Sequence, residues 1–86
     1  MTQIIRINLG MRWEYPVRVL VADGRVDTIV GPGDAIAFLV KSWNRQKGPS
    51  YKMARKSCQD ALRGQTGTAL SRSQFITACI DAGILE

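Results

Sequence analysis

Apolar and polar residues alternate repeatedly in the first third of the chain. From Gln3 to Leu9, Ile5, Ile7 and Leu9 fall on one face and Ile4, Arg6 and Asn8 on the other. That period of two predicts a short strand over 3–9. Gly10-Met11 interrupts it, and Pro16, which cannot donate to a ladder, marks the beginning or edge of the next strand. From there Val17, Val19 and Val21 alternate with Arg18, Leu20 and Ala22. Asp23-Gly24 follows, the pair that most readily takes the positive φ values of a tight turn, and Val26 to Val30 reads as the returning strand. The spacing therefore predicts a hairpin over 17–30.

Past Gly31-Pro32-Gly33 the period changes to that of a helix. Over about 34–44, Ala35, Ile36, Leu39, Val40 and Trp43 share one arc, with Asp34, Lys41 and Ser42 opposite. Gln46-Lys47-Gly48-Pro49 ends it, and Ser50 is a candidate cap for a second helix over about 50–63. There Tyr51, Ala54, Cys58, Ala61 and Leu62 form the inward stripe. Gly64-Gln65-Thr66-Gly67 is a loop. A third helix over about 68–82 carries Phe75, Cys79 and Ala82 inward with Ile76 and Ile80 beside them, and Gly83 stands where a left-handed cap belongs. Strands grouped before helices argue for an α+β fold, a small antiparallel sheet followed by three helices. At 86 residues the whole chain, 1–86, reads as a single domain.

Composition narrows the chemistry. Twelve Lys and Arg against seven Asp and Glu give a net charge of +5, which favours acidic partners without saying which. Histidine is absent, and with it the commonest general base and a favoured metal ligand. The longest apolar run, Ala35 to Val40, falls far short of the roughly 20 residues of a membrane helix. The first residues lack the basic flank and apolar stretch of a secretory signal, so a cytoplasmic chain with reduced thiols is expected. Cys58 and Cys79 fall on inward stripes, where a thiol behaves as a small hydrophobe and a nucleophilic thiolate is disfavoured. Asp23 and Asp27 flank a turn and serve it as turn former and solvated strand residue. Gly31-Pro32-Gly33 lacks the third glycine of a dinucleotide loop, since position 36 is Ile, and Asp34 puts negative charge at its mouth. These readings predict no enzyme, no metal and no cofactor.

Two binding surfaces remain. Arg72 falls within the apolar arc of the third helix, between Cys79 and Ile76 on the wheel. A cation there needs a partner, which is either a carboxylate or carbonyl of the same domain or an acidic group of a docking protein. Trp13 and Trp43 are the aromatic residues suited to anchor such an interface, although their spacing suits a core equally well. The second surface is a row of Lys52, Arg55, Lys56 and Arg63, which with Gln59 occupies an arc of roughly 100° on the second helix. Such a row can follow a phosphate backbone, and it can also be an ordinary solvated face. The helix, Gly64-to-Gly67 loop, helix arrangement resembles the backbone clamp of KH domains, but the loop has no basic residue.

Several segments taken together resemble a known family. They are Trp13-Glu14-Tyr15-Pro16-Val17-Arg18-Val19, Asp34-Ala35 through Leu39 with Trp43, Tyr51, Ala54, Cys58, Ala61-Leu62 and Gly64, and finally Arg72, Phe75-Ile76, Ala78 and Ala82-Gly83-Ile84. In order and spacing they resemble the bacterial family known as domain of unknown function 982, over about residues 13–84. Asn44 departs from the proline usual there after the tryptophan. The resemblance implies a small one-domain bacterial protein and brings no activity, cofactor or catalytic residue. The expectation is thus a non-catalytic protein-interaction or accessory module, with a partner protein or a second copy of itself. Sequence-independent nucleic-acid binding through the second helix is the alternative.

Overall fold

A computed structural model describes residues 10–86; the strand expected over 3–9 lies outside them. Two strands, β1 (Val17–Leu20) and β2 (Val26–Ile29), pair antiparallel with Val17 opposite Ile29 and Leu20 opposite Val26. Val17, Val19 and Ile29 are buried while Arg18 faces outward, as alternation requires. Asp23 and Gly24 both take positive φ, 70° and 73°, which turns the chain with the handedness that matches strand twist.

Three helical segments follow the hairpin, and the last of them packs on β1. The first, α1 (Pro32–Ala37), begins two residues before the position that the pattern suggested, because Pro32 is pre-set for a first helical residue. Asp34 then lies inside the first turn, and its Oδ2 accepts the Val30 N–H at 3.3 Å. Gly31 is fixed by close approach: a Cβ there would sit 2.2 Å from the Met11 carbonyl oxygen. Beyond Ala37 the chain continues as a wider π turn, Phe38–Ser42, and ends where Trp43 becomes extended.

The inward arc here differs from the expected one. Phe38 is buried and Val40 is 53% exposed, because the helix turns its larger ring to the core at the expense of a smaller side chain. Phe38 meets Phe75 and Trp43 edge-on, each with centroids 6.1 Å apart.

The longer pair is α2 (Pro49–Leu62) and α3 (Thr68–Ala82). On α2 the buried residues are Tyr51, Ala54, Cys58, Ala61 and Leu62, the stripe that the spacing predicts. Ser50 is not its cap. Gly48 precedes the helix and Pro49 opens it, so Ser50 lies inside the first turn and donates its hydroxyl to the Asp81 carboxylate of α3. Both helices end on left-handed glycines. Gly64 N–H bonds Ala61 O and Gln65 N–H bonds Asp60 O; Gly83 and Ile84 bond Ile80 O and Cys79 O in the same pattern.

On α3 the buried set is Ser71, Phe75, Ala78 and Cys79. Ile80, expected beside the inward line, is 58% exposed. Ile80 lies roughly 100° round the helix from Cys79 and off the buried arc, whereas Ser71 falls within it, its hydroxyl donating to Thr68 O at 2.6 Å and accepting the Trp13 indole N–H at 2.9 Å.

After Gly83 the last residues return to the sheet. Leu20 N–H bonds Ile84 O at 2.7 Å, Glu86 N–H bonds Arg18 O at 3.1 Å, and Val19 lies opposite Leu85. The outer edge of β1 is thereby covered, and an Arg18–Glu86 ion pair at 3.0 Å closes the seam. Three residues are too few to show alternation, so the sequence carries no sign of this closure.

Candidate interaction groove

Arg72 projects from the second turn of α3, at the border of its buried arc rather than within it. It is half-buried, and its Nε donates to the Tyr15 carbonyl oxygen at 2.7 Å. The bond exists because Trp13, anchored in the core, fixes the bend that follows it at Glu14 and Tyr15. The Trp13 indole N–H donates to Ser71 Oγ on the preceding position of α3, its ring lies 5.6 Å from that of Phe75, and the Trp13 backbone N–H donates to Val30 O at 2.8 Å. Two residues on, the Tyr15 carbonyl stands over α3 while its ring is 64% exposed.

One N–H of the guanidinium is thus used, and its terminal amino groups bond no other described residue. Arg72 and Ile76 together form the shared wall of two adjoining clefts. One, of about 370 Å³, runs between α3 and the Trp13–Tyr15 segment, with Thr68 and Thr77 at its margins. The other, of about 280 Å³, runs between α3, Val17 and the returning tail at Leu85–Glu86. The result is a groove along α3 with the partly exposed Ile76 and Leu85 as apolar surface, a half-buried cation at its centre, and Glu14 and the Arg18–Glu86 pair at its rim. Arg72 came from the helical wheel; Tyr15 and Leu85 did not, because one acts through a backbone carbonyl and the other through an unpredicted return of the chain.

The remaining sequence candidates fall elsewhere. Trp13 is a core residue, reachable only where it borders the groove. Trp43 is half-buried on another part of the surface, bonding Gln46 O through its indole at 3.2 Å and lying 5.4 Å from the Tyr51 ring. Lys52, Arg55 and Lys56 are exposed on α2, and Arg63 is exposed at its C-terminal cap. Of these, Lys56 is neutralised by Asp60 one turn away at 2.7 Å, and the other three have no acidic partner among the described residues.

Burial pushes the Cys58 and Cys79 thiols up to about 12, which leaves them protonated at neutral pH. Among the described residues no three or more Cys, Asp or Glu gather into a metal-binding group. No described helix is long and apolar enough to cross a membrane.

Comparison with known proteins agrees with the segmental resemblance. No curated protein and no solved structure matches the chain. The profile of a family described as "protein of unknown function (DUF982)" matches residues 15–86, which take in the whole hairpin, all three helices, Arg72 and the returning tail. By that match the chain belongs to the DUF982 family.

Proposed function

We propose that this protein is a non-catalytic interaction module that captures a short segment of a partner protein in the groove along α3. The segment carries one carboxylate flanked by apolar side chains. The observation behind this reading is Arg72, held by one N–H to Tyr15 O at the wall shared by two clefts, with its terminal amino groups bonded to no described residue. A guanidinium fixed in this way is already oriented for a two-pronged bond to a carboxylate and loses little freedom on forming it. Ile76 and Leu85, partly exposed beside it, supply apolar area that a lone surface cation lacks. The protonated thiols also favour binding over nucleophilic chemistry.

Panning a displayed library of random peptides against the protein tests this reading. The expected winners carry Asp, Glu or a free C-terminus next to apolar residues, and they lose at least about tenfold in affinity for Arg72→Met. Winners that lack a carboxylate, or that bind the variant equally well, would overturn it.

A second reading rests on the unpaired cations of α2. Lys52, Arg55 and Arg63 supply three phosphate contacts, Lys56 being engaged with Asp60. Three contacts predict that duplex affinity falls about fortyfold between roughly 50 and 200 mM salt. A flat salt dependence would remove this alternative.

A further inference from the structure

The hairpin turn and the end of the π turn face each other across a cleft of about 280 Å³ that neither surface above includes. It is close to the smallest size at which proteins hold small organic ligands, roughly 300 Å³. Arg25 and Asp27 line it from β2 and its turn, and Trp43, Asn44 and Arg45 from the segment after the π turn, with Phe38 behind them. Neither Arg25 nor Arg45 has an acidic partner among the described residues. The Trp43 ring is braced from two sides, edge-on by Phe38 and at a tilt by Tyr51, and its indole N–H is occupied by Gln46 O. It therefore offers a fixed aromatic surface rather than a donor.

We propose that this cleft binds a small planar monocarboxylate, with an aromatic ring against Trp43 and the carboxylate held by Arg25 and Arg45. The charge balance selects the class. Two guanidiniums and one carboxylate leave a single positive charge, and the C-terminal end of α3 at Gly83 also borders the cleft. A phosphate dianion would meet Asp27 and that helix end, whereas a monoanion matches the surplus. Planarity follows from both halves of the site, since guanidinium pairs with carboxylate in one plane and the indole presents a flat face. This site goes beyond the peptide groove and does not depend on it.

The test is an amide-resolved NMR titration with sodium benzoate, carried to roughly 50 mM so that a Kd of about 1 mM would be saturated. The Trp43 indole N–H and the amides of residues 25, 27, 44 and 45 should shift and saturate. The Trp13 indole, bonded to Ser71 in the core, should not move. Arg45→Gln and Arg25→Gln change exposed side chains and leave the fold intact. Each should weaken benzoate about tenfold, the loss expected for one charge-assisted bond. Benzyl alcohol, which keeps the ring and lacks the charge, should give no saturable shift. The proposal fails if benzoate shifts do not saturate, if they persist unchanged in both variants, or if inorganic phosphate binds as tightly as benzoate.

Discussion

α2 and α3 pack together, and each buries the same kind of surface: Ala54, Cys58 and Ala61 from one, Ala78 and Cys79 from the other. Their outward faces have nothing in common. α2 presents four cations of which three stand free in solvent. α3 presents one, Arg72, set between apolar residues and steadied by a carbonyl. Four exposed charges give a helix solubility and a long-range field, whereas one embedded charge gives it a direction in which to bind. The number of charges is thus a poor guide to where a specific contact forms; what surrounds them decides.

The largest expected effect comes from the likeness of the two interiors. Both thiols are shifted from 9.0 to about 12, so above pH 9 the unfolded chain releases protons that the folded chain retains. Stability contributed by each is complete below pH 9 and is lost as pH rises toward 12. The slope is up to about 1.4 kcal/mol per pH unit for each thiol. By pH 10.5 the pair should remove about 4 kcal/mol, read as a falling urea midpoint. Cys79→Ala should cut the thiol-dependent part of that slope by half, and unequal effects of Cys58→Ala and Cys79→Ala would break the symmetry.

A smaller effect separates α3 from α2. Ser71→Ala leaves the Trp13 indole N–H buried without its acceptor, at a cost of about 1–3 kcal/mol. Denaturation curves measure it, and a change below about 0.5 kcal/mol would show that Trp13 does not depend on that bond. Next comes Arg72→Met, which should alter stability by no more than about 1 kcal/mol while peptide affinity falls at least about tenfold. Loss of stability and binding together would make Arg72 a structural residue. Least of all should be felt on α2: Lys52→Gln, Arg55→Gln and Arg63→Gln, each within about 0.5 kcal/mol of the parent and without effect on the peptide.

The same contrast explains what the sequence made legible. The Asp23-Gly24 turn, the five-residue stripe of α2 and the Gly83 cap depend on neighbours within a few positions, and pattern reveals them. Ser71 and Ser50 were harder to place because their partners, Trp13 and Asp81, lie far along the chain. A serine inside a core is indistinguishable from a surface serine until its acceptors and donors are known. Val40 and Ile80 fall outside because the buried arcs of their helices, set by Phe38 and Leu39 and by Ser71, Phe75 and Cys79, turn away from them. At the groove, Arg72 was marked by its neighbours on the wheel, whereas the Tyr15 carbonyl, like every backbone group, is written identically at every position.

The return of the chain onto β1 bears on the order in which the molecule assembles. The Leu20–Ile84 and Arg18–Glu86 backbone bonds join the first strand to the last residues. They close a loop of about 64 residues, at an entropic cost of about 3.7 kcal/mol beyond a constant. The hairpin and the α2–α3 pair are closed by far shorter loops and can form before it. The seam is therefore the last part of the sheet to close during folding and the first to open in a native-state fluctuation. In pulse-labelling hydrogen exchange the Leu20 and Glu86 amides should gain protection after that of Val21, which bonds within the hairpin to Arg25 O. Because the same seam supplies one wall of the groove, a ligand held there would slow its opening, and the exchange rate at Leu20 would then report occupancy from a residue outside the groove lining.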